Sequence, residues 1–444
     1  MRQSLFTHSR ASGVLFAACL CTGGSAHAQA WSGIPSVDSA SVARAAWTRA
    51  GVALRSGDRS AARREVARAA SAWPIQPSYV WTFTVLAAQA SDTAATLDGL
   101  RRYTSLGLGR DLRADSAVAN VARSPAFAEV RRFNAANARP LARSRVERTF
   151  GDSTFWAEGV DADPLTGHLY VASIRHRTIA DVSPNGAARE LWPRDQRVFG
   201  AMFGVRVDTA RHELWATTSG VPQVQGYIAS DSSIAALLEI RPADGTVVHR
   251  FDLPRVRGGH VLGDLAIGPR GDVFTTDSNQ PFLYRLRPGA DSLESITSPL
   301  FHSLQGMAPT PDGRVLYVAD YSHGLLRVDL LTRVVSRVED APRSTSVGCD
   351  GIVLYHGAII AVQNGVTPAR IVRFSLDRSG TRVRAVDVID RNFTIADEPA
   401  IGTILGGDFV YVANGQWEEF DDKGRRLPAG VLSPTILLAV PLPR

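Results

Sequence analysis

The chain has 444 residues, 45% of them hydrophobic and 21% charged, with a formal net charge of +6. Those proportions exclude wholesale disorder, and a mean hydropathy of −0.04 excludes a polytopic membrane protein. The 38 Gly and 24 Pro follow no collagen period and announce many turns. Residues 29–150 carry 18 Arg against 9 carboxylates, so the rest of the chain is net acidic. The arginines alternate with Ala and acids and never run beyond a pair. That pattern describes a solvated helical surface, and no nucleic-acid partner is expected.

Arg2 and Arg10 precede a short apolar run from Gly13 to Cys21, followed by Ala26-His27-Ala28. A basic start, a short apolar core and an A-x-A site read as a secretory signal over residues 1–28, cut after Ala28. The run is too short to span a bilayer, which takes about 20 residues, so the mature chain should have no transmembrane segment. The expected location is periplasmic or secreted. Cleavage removes Cys19 and Cys21 and leaves Cys349 alone, a small buried hydrophobe with no disulfide partner.

Residues 38–138 follow a helical period. Val42, Ala46, Ala50, Ala53 and Leu54 form one stripe, which Gly57-Asp58 breaks. Ala62, Val66, Ala69, Ala70 and Trp73 form the next, ended by Pro74. A second helix pair runs from Tyr79 to Leu106 around Ser91-Asp92. A third, degenerate unit ends at Ser124–Phe127. The Gly57-Asp58 turn with Ala62, Ala69 and Pro74 resembles the tetratricopeptide repeat. So small and Ala-rich a solenoid needs a partner surface to dock on.

From residue 145 to 444 the period changes to two. Short strands recur at His168–Ser173, Glu213–Thr218, Asp272–Asp277, Val315–Asp320, Ala358–Gln363 and Phe409–Asn414. Their third residues are spaced by 45, 59, 43, 43 and 51 positions. A β unit repeated at this interval predicts a six-bladed β-propeller, with four strands to a blade. The fold class is therefore mainly β, with an α-helical tetratricopeptide-like domain in front. The C-terminal Thr435–Val440 should lie inside the last blade, and Val146–Phe150 should complete it, which leaves the ring without an open seam.

Residues just before the glycine of each inner strand, or its equivalent, should face the propeller axis. They are Glu158, Phe203, Gly263 (followed by Asp264), Gln305, Asp350 and Ile401. A second layer, at the ends of the repeated strands, holds Ser173, Thr218, Asp277, Asp320, Gln363 and Asn414. Converging carboxylates and amides suit a hard cation with oxygen ligands. The segments Gln363-Asn364-Gly365 and Asn414-Gly415 read as turn formers or as a substrate-facing amide row. His260, His302 and His323 lie near strand ends at the mouth, as a base, a ligand contact or plain loop histidines.

Trp156–Tyr170, Gln305–Asp320 and Cys349-Asp350-Gly351 resemble motifs of the gluconolactonase/regucalcin (senescence marker protein) family, within about residues 150–444. The resemblance implies a divalent metal, calcium being one choice, held by Glu158, Gln305 and Asp350. It also implies a lactone substrate polarised by that metal, and a proton-transfer role for Asp350. Gln305 stands where the family has Asn, and Gly263 where it has a substrate-contacting Asn. Asp264, His302, Gln363, Asn364 and Asn414 are the expected substrate contacts. Two functions follow as expectations: a metal-dependent hydrolase of a small lactone or ester, or a non-catalytic envelope module that binds a protein or ligand.

Overall fold

Helix α1 (Ser39–Arg55) stops at the Gly57-Asp58 turn, and the Asp58 carboxylate caps α2 (Arg59–Ala72) by accepting from the Ala61 amide at 2.8 Å. The same device starts α4 (Thr93–Ser105) after α3 (Pro77–Gln89), where Asp92 accepts from Ala95 at 3.0 Å. Alanines at 43, 46, 69 and 70 are fully buried between the first two helices and let them pack closely. The third unit runs past the boundary read from its sequence. Pro125–Phe127 is a single 3-10 turn between α5 (Ser116–Ala122) and α6 (Ala128–Ala138). This computed structural model describes residues 29–30, 32–33 and 39–443. The expected signal segment, with Cys19 and Cys21, lies outside the described residues.

The strands that follow form six sheets arranged as the blades of a propeller. In each blade the repeated strand of the sequence is the second from the axis, and in Leu169–Ser173, Val273–Asp277, Val315–Asp320 and Ala358–Gln363 all its residues are buried. Outer strands such as Ala188–Glu190 and Val247–Asp252 are largely exposed. That contrast explains why the second strand carries the clearest apolar signal. The core is six apolar seams, one between each pair of neighbouring blades. Cys349 is buried in the seam between blades 4 and 5.

Ring closure follows the expected route. Ile436–Pro441 is the third strand of blade 6, and Arg145–Thr149 pairs with it antiparallel as the fourth. The chain therefore enters the propeller at the edge of its last blade. Two short segments were not expected. Gln29–Ala30 pairs parallel with the outer strand of blade 3, and Ser32–Gly33 with that of blade 4.

The helices sit on the propeller and share a core with it. Val80, Tyr103, Leu106 and Leu108 pack with Val366 of blade 5. Polar contacts frame this patch. Tyr103 Oη donates to Thr367 O at 3.3 Å, and the Gly109 amide to the same oxygen at 3.2 Å. Arg370 donates to Gly107 O at 3.1 Å, and Gln76 to Ser322 O at 3.0 Å.

Candidate functional site

In five of the six blades the ring residue of the inner strand is followed by glycine, and in blade 3 the ring residue is itself Gly263, followed by Asp264. A Cβ on Gly159 would lie 2.2 Å from Phe203 O, and one on Gly306 would lie 2.6 Å from Asp350 O. Only glycine permits that approach, so the backbones of blades 1, 2, 4 and 5 rest against the ring residue of the next blade. In blades 1 to 4 the strand pairing slips at this step, a bulge that turns the ring residue toward the mouth. Asp350 is held by its own backbone. Its amide donates to Val362 O at 2.8 Å, and its carbonyl accepts from Gly306 at 3.1 Å.

Glu158, Gln305, Asp350 and Asn364 border one small cavity of about 30 Å³, together with Tyr321, Glu398 and Trp417. The structure thus brings together the three residues read from the sequence as ligands. The Trp417 indole N–H donates to Glu158 Oε2 at 2.8 Å, and Asn364 Nδ2 donates to Asp350 Oδ2 at 2.8 Å. Asn364 Oδ1 and Tyr321 Oη are buried and have no hydrogen-bond partner. Burial raises the Glu158 carboxyl well above the usual carboxylate range, and the Asp350 charge adds to the rise. Burial likewise pushes Asp350 up to about 6, opposed by the Asn364 hydrogen bond and aided by the charge of Asp264.

Among the described residues, no three or more His, Cys, Asp and Glu side chains group as a metal-binding set. The donors around the small cavity are of another kind: two carboxylates and the amides of Gln305 and Asn364. All can offer hard oxygens, and the unpartnered Asn364 Oδ1 is an acceptor that wants a cation or a donor. A cavity of this size holds a single ion or water. The residues present therefore fit a hard divalent ion.

Glu158, Gln305, Asp350 and Asn364 also line a chamber of about 2040 Å³ between the mouth of the propeller and the helices, so the small cavity adjoins it. Phe203, Ile401 and Trp417 give the chamber an apolar side, and α1 and α3 contribute Arg44, Trp47 and Tyr79. Asp264 borders this chamber but not the small cavity. Its carboxylate is paired with Arg206 at 3.1 Å and accepts from the Leu265 amide at 2.8 Å. His302 also borders the chamber and is hydrogen-bonded to Arg44. Burial lowers its pKa to about 3, helped by His323, so the ring is neutral. His260 has both ring nitrogens engaged, with Asp277 at 2.6 Å and Pro254 O at 2.9 Å.

Gln363 and Asn414 do not border either cavity. Gln363 donates to Thr345 O and Val347 O and accepts from Arg370. Asn414 donates to Ser433 and Pro434 O and accepts from Ile436. The rest of the second layer behaves alike. Asp277 and Asp320 accept backbone amides of their own loops, such as Val261 at 3.1 Å and His302 at 2.8 Å. These residues latch the loops between blades, because buried strand ends leave amides and carbonyls that need partners.

Glu398 and Tyr321 border the small cavity and were not singled out from the sequence. Glu398 sits in the loop before the inner strand of blade 6 and accepts from the Trp417 amide at 2.7 Å. Burial pushes its carboxyl up to about 8. The available signal was positional: the loop holding Glu398 precedes its inner strand as the His260 and His302 loops precede theirs.

No protein-family model matches the sequence, and no curated protein matches it. Solved structures are similar at low identity. Regucalcin from Agrobacterium tumefaciens is 14% identical over 66% of this chain and 93% of its own, with a TM-score of 0.44. A putative gluconolactonase is 15% identical over 69% and 95%, with a TM-score of 0.43. Virginiamycin B lyase from Staphylococcus aureus is 15% identical over 62% and 82%, with a TM-score of 0.45.

Proposed function

We propose that the chain is an exported hydrolase of lactones or related esters that works with a divalent cation, calcium being the first choice. The observation that carries this reading is the oxygen-lined small cavity at the floor of a chamber large enough for a ligand. Glu158, Gln305 and Asp350, joined by Asn364, are the residues to hold the ion. A bound divalent cation supplies Lewis acidity toward a carbonyl or acidifies water. The chain's own groups do the rest. The Trp417 indole fixes Glu158, and Asn364 fixes one Asp350 oxygen, which leaves the other oxygen to take a proton from water. Phe203 and Ile401, on the blades either side of Glu158, border the chamber with apolar groups that limit water beside the floor.

Two measurements test the reading. Millimolar calcium should raise the melting temperature of the parent and not that of Asp350→Asn or Glu158→Gln, because ligand charge sets affinity. The parent should hydrolyse an aliphatic lactone in calcium, and each variant should lose roughly a hundredfold or more in kcat/KM, the scale of losing an electrostatic partner to the reacting group. An identical thermal response in parent and variants removes the metal site. The size of the chamber favours a second reading, a binding module without chemistry; ligand binding with no turnover would select it. Export is tested by the N-terminal sequence of the protein recovered outside the cytoplasm, expected to begin at Gln29.

A further inference from the structure

The chamber is about twice the volume of an ordinary small-molecule site, which runs from about 300 to 1,000 Å³. A small lactone sitting on the oxygen cluster would leave most of it empty. Part of its wall is helical, and what borders it there differs in chemistry from the floor. Trp47 and Tyr79 are in ring contact, with centroids 4.7 Å apart, and both border the chamber. Arg110, just beyond α4, also borders it. The Arg110 guanidinium lies over the Trp81 ring at 4.7 Å and forms no ion pair among the described residues. The Arg110 backbone is pinned at both ends by Asn134, which accepts from its amide at 3.0 Å and donates to its carbonyl at 2.7 Å. Arg44 of α1 stands on the same side, hydrogen-bonded to His302.

The chamber is therefore polarised. Carboxylates occupy the floor and the blade 6 side, where Asp397, Glu418, Asp421 and Asp422 border it, while Arg110 borders it from the helical side and Arg255 from the loop between blades 2 and 3. A long ligand with an anionic end is therefore repelled from the floor and the blade 6 side and can reach Arg110 with that end.

We propose that the helical region forms the second half of the ligand site. In this arrangement Arg110 holds an anionic group at the far end of an amphipathic ester or lactone whose apolar body packs on Trp47 and Tyr79. The ligand class is an ester or lactone with a carboxylate, sulfate or phosphate remote from the reacting carbonyl. The identity of the reacting end rests on the hydrolase reading above; the anion-binding end does not.

The test uses the full-length mature protein in calcium with two matched esters, mono-para-nitrophenyl suberate and para-nitrophenyl octanoate. They differ only by a terminal carboxylate against a methyl group. The parent should prefer the suberate ester by roughly tenfold in kcat/KM, the effect of one charged contact of about 1.4 kcal/mol. Arg110→Gln should bring that ratio to about one, and Arg110→Lys should keep most of it, which separates lost charge from lost folding. A second arm titrates free suberate, which has no scissile bond, against intrinsic tryptophan fluorescence; it should bind the parent and bind Arg110→Gln roughly tenfold more weakly. Suberate binding without turnover of either ester would support the anion site and remove the hydrolase reading. Equal handling of the two esters together with no saturable suberate binding would overturn the proposal, as would a preference unchanged in Arg110→Gln.

Discussion

Asp340 shows what burial does to a single carboxyl in this fold. Its Oδ1 is buried without a partner, and Ser346 donates to Oδ2 at 3.2 Å. Burial pushes it up to about 7, against the opposing effects of the Ser346 hydrogen bond and Arg337. The native state then keeps a proton between about pH 4 and 7 that the unfolded chain has released. Where the native state binds more protons, stability falls as pH rises. Asp340 should therefore lower stability progressively across that window and make no further change above it. Asp340→Asn should remove this part of the slope and be more stable than the parent at pH 8, as read from urea midpoints at several pH values. A parent and variant with parallel profiles would exclude a raised Asp340. At this same scale the sequence was informative where geometry repeats. Glu158, Gln305 and Asp350 were legible as ring residues because a glycine follows each, as it follows Phe203 and Ile401, and the family resemblance singled the three out. Gln363 and Asn414, in the second layer at the strand ends, looked able to face a substrate. What decides their role is the fold of the loops over the strand ends, and loop folding carries no period. Glu398 and Tyr321 were hidden for that same reason.

Among elements, the inner strands depend most on one atom's absence. Gly159 carries a hydrogen where any side chain would meet Phe203 O. Gly159→Ala should force blades 1 and 2 apart and cost about 1–3 kcal/mol, the usual range for overpacking. The same shift should displace Glu158, so the calcium-induced rise in melting temperature should shrink along with the stability. A variant as stable as the parent would mean that the two blades yield at no cost. The second strands were legible almost to the residue, as with Val315–Asp320 and Ala358–Gln363, because both faces are buried between neighbouring blades. The closing strand was legible because an open sixth blade would leave an edge. The pairings of Gln29–Ala30 and Ser32–Gly33 were not. Two residues make no pattern, and a parallel addition to an outer edge is specified by backbone groups that every sequence has.

For the whole molecule the question is whether helices and propeller unfold as one. The basic helical part faces a net acidic remainder of the chain, but among the described residues no ion pair joins residues 39–138 to the blades; the ion pairs of the helices are internal, such as Arg49–Glu65 and Arg63–Asp92. Docking relies on a shared apolar patch and on arginines that donate to carbonyls, including Arg391 to Arg139 O at 2.8 Å and to Ala136 O at 2.9 Å. Neutral acceptors and buried carbon respond weakly to salt. The chain also re-enters the propeller at blade 6 directly after α6, so loosening the helices strains the closing strand. A single calorimetric transition is therefore expected, with a midpoint that moves little between low and moderate salt. Leu108, fully buried against Val366 and Tyr103, is the place to break the coupling. Leu108→Asp buries a charge with no partner, which the interface can relieve only by opening. That variant should show the helices melting first, at lower temperature, with the propeller transition retained behind it. Two transitions already present in the parent, or a midpoint that collapses as salt is added, would show that the helices are held only loosely and by charge, and the chamber between them and the mouth would then have no fixed ceiling.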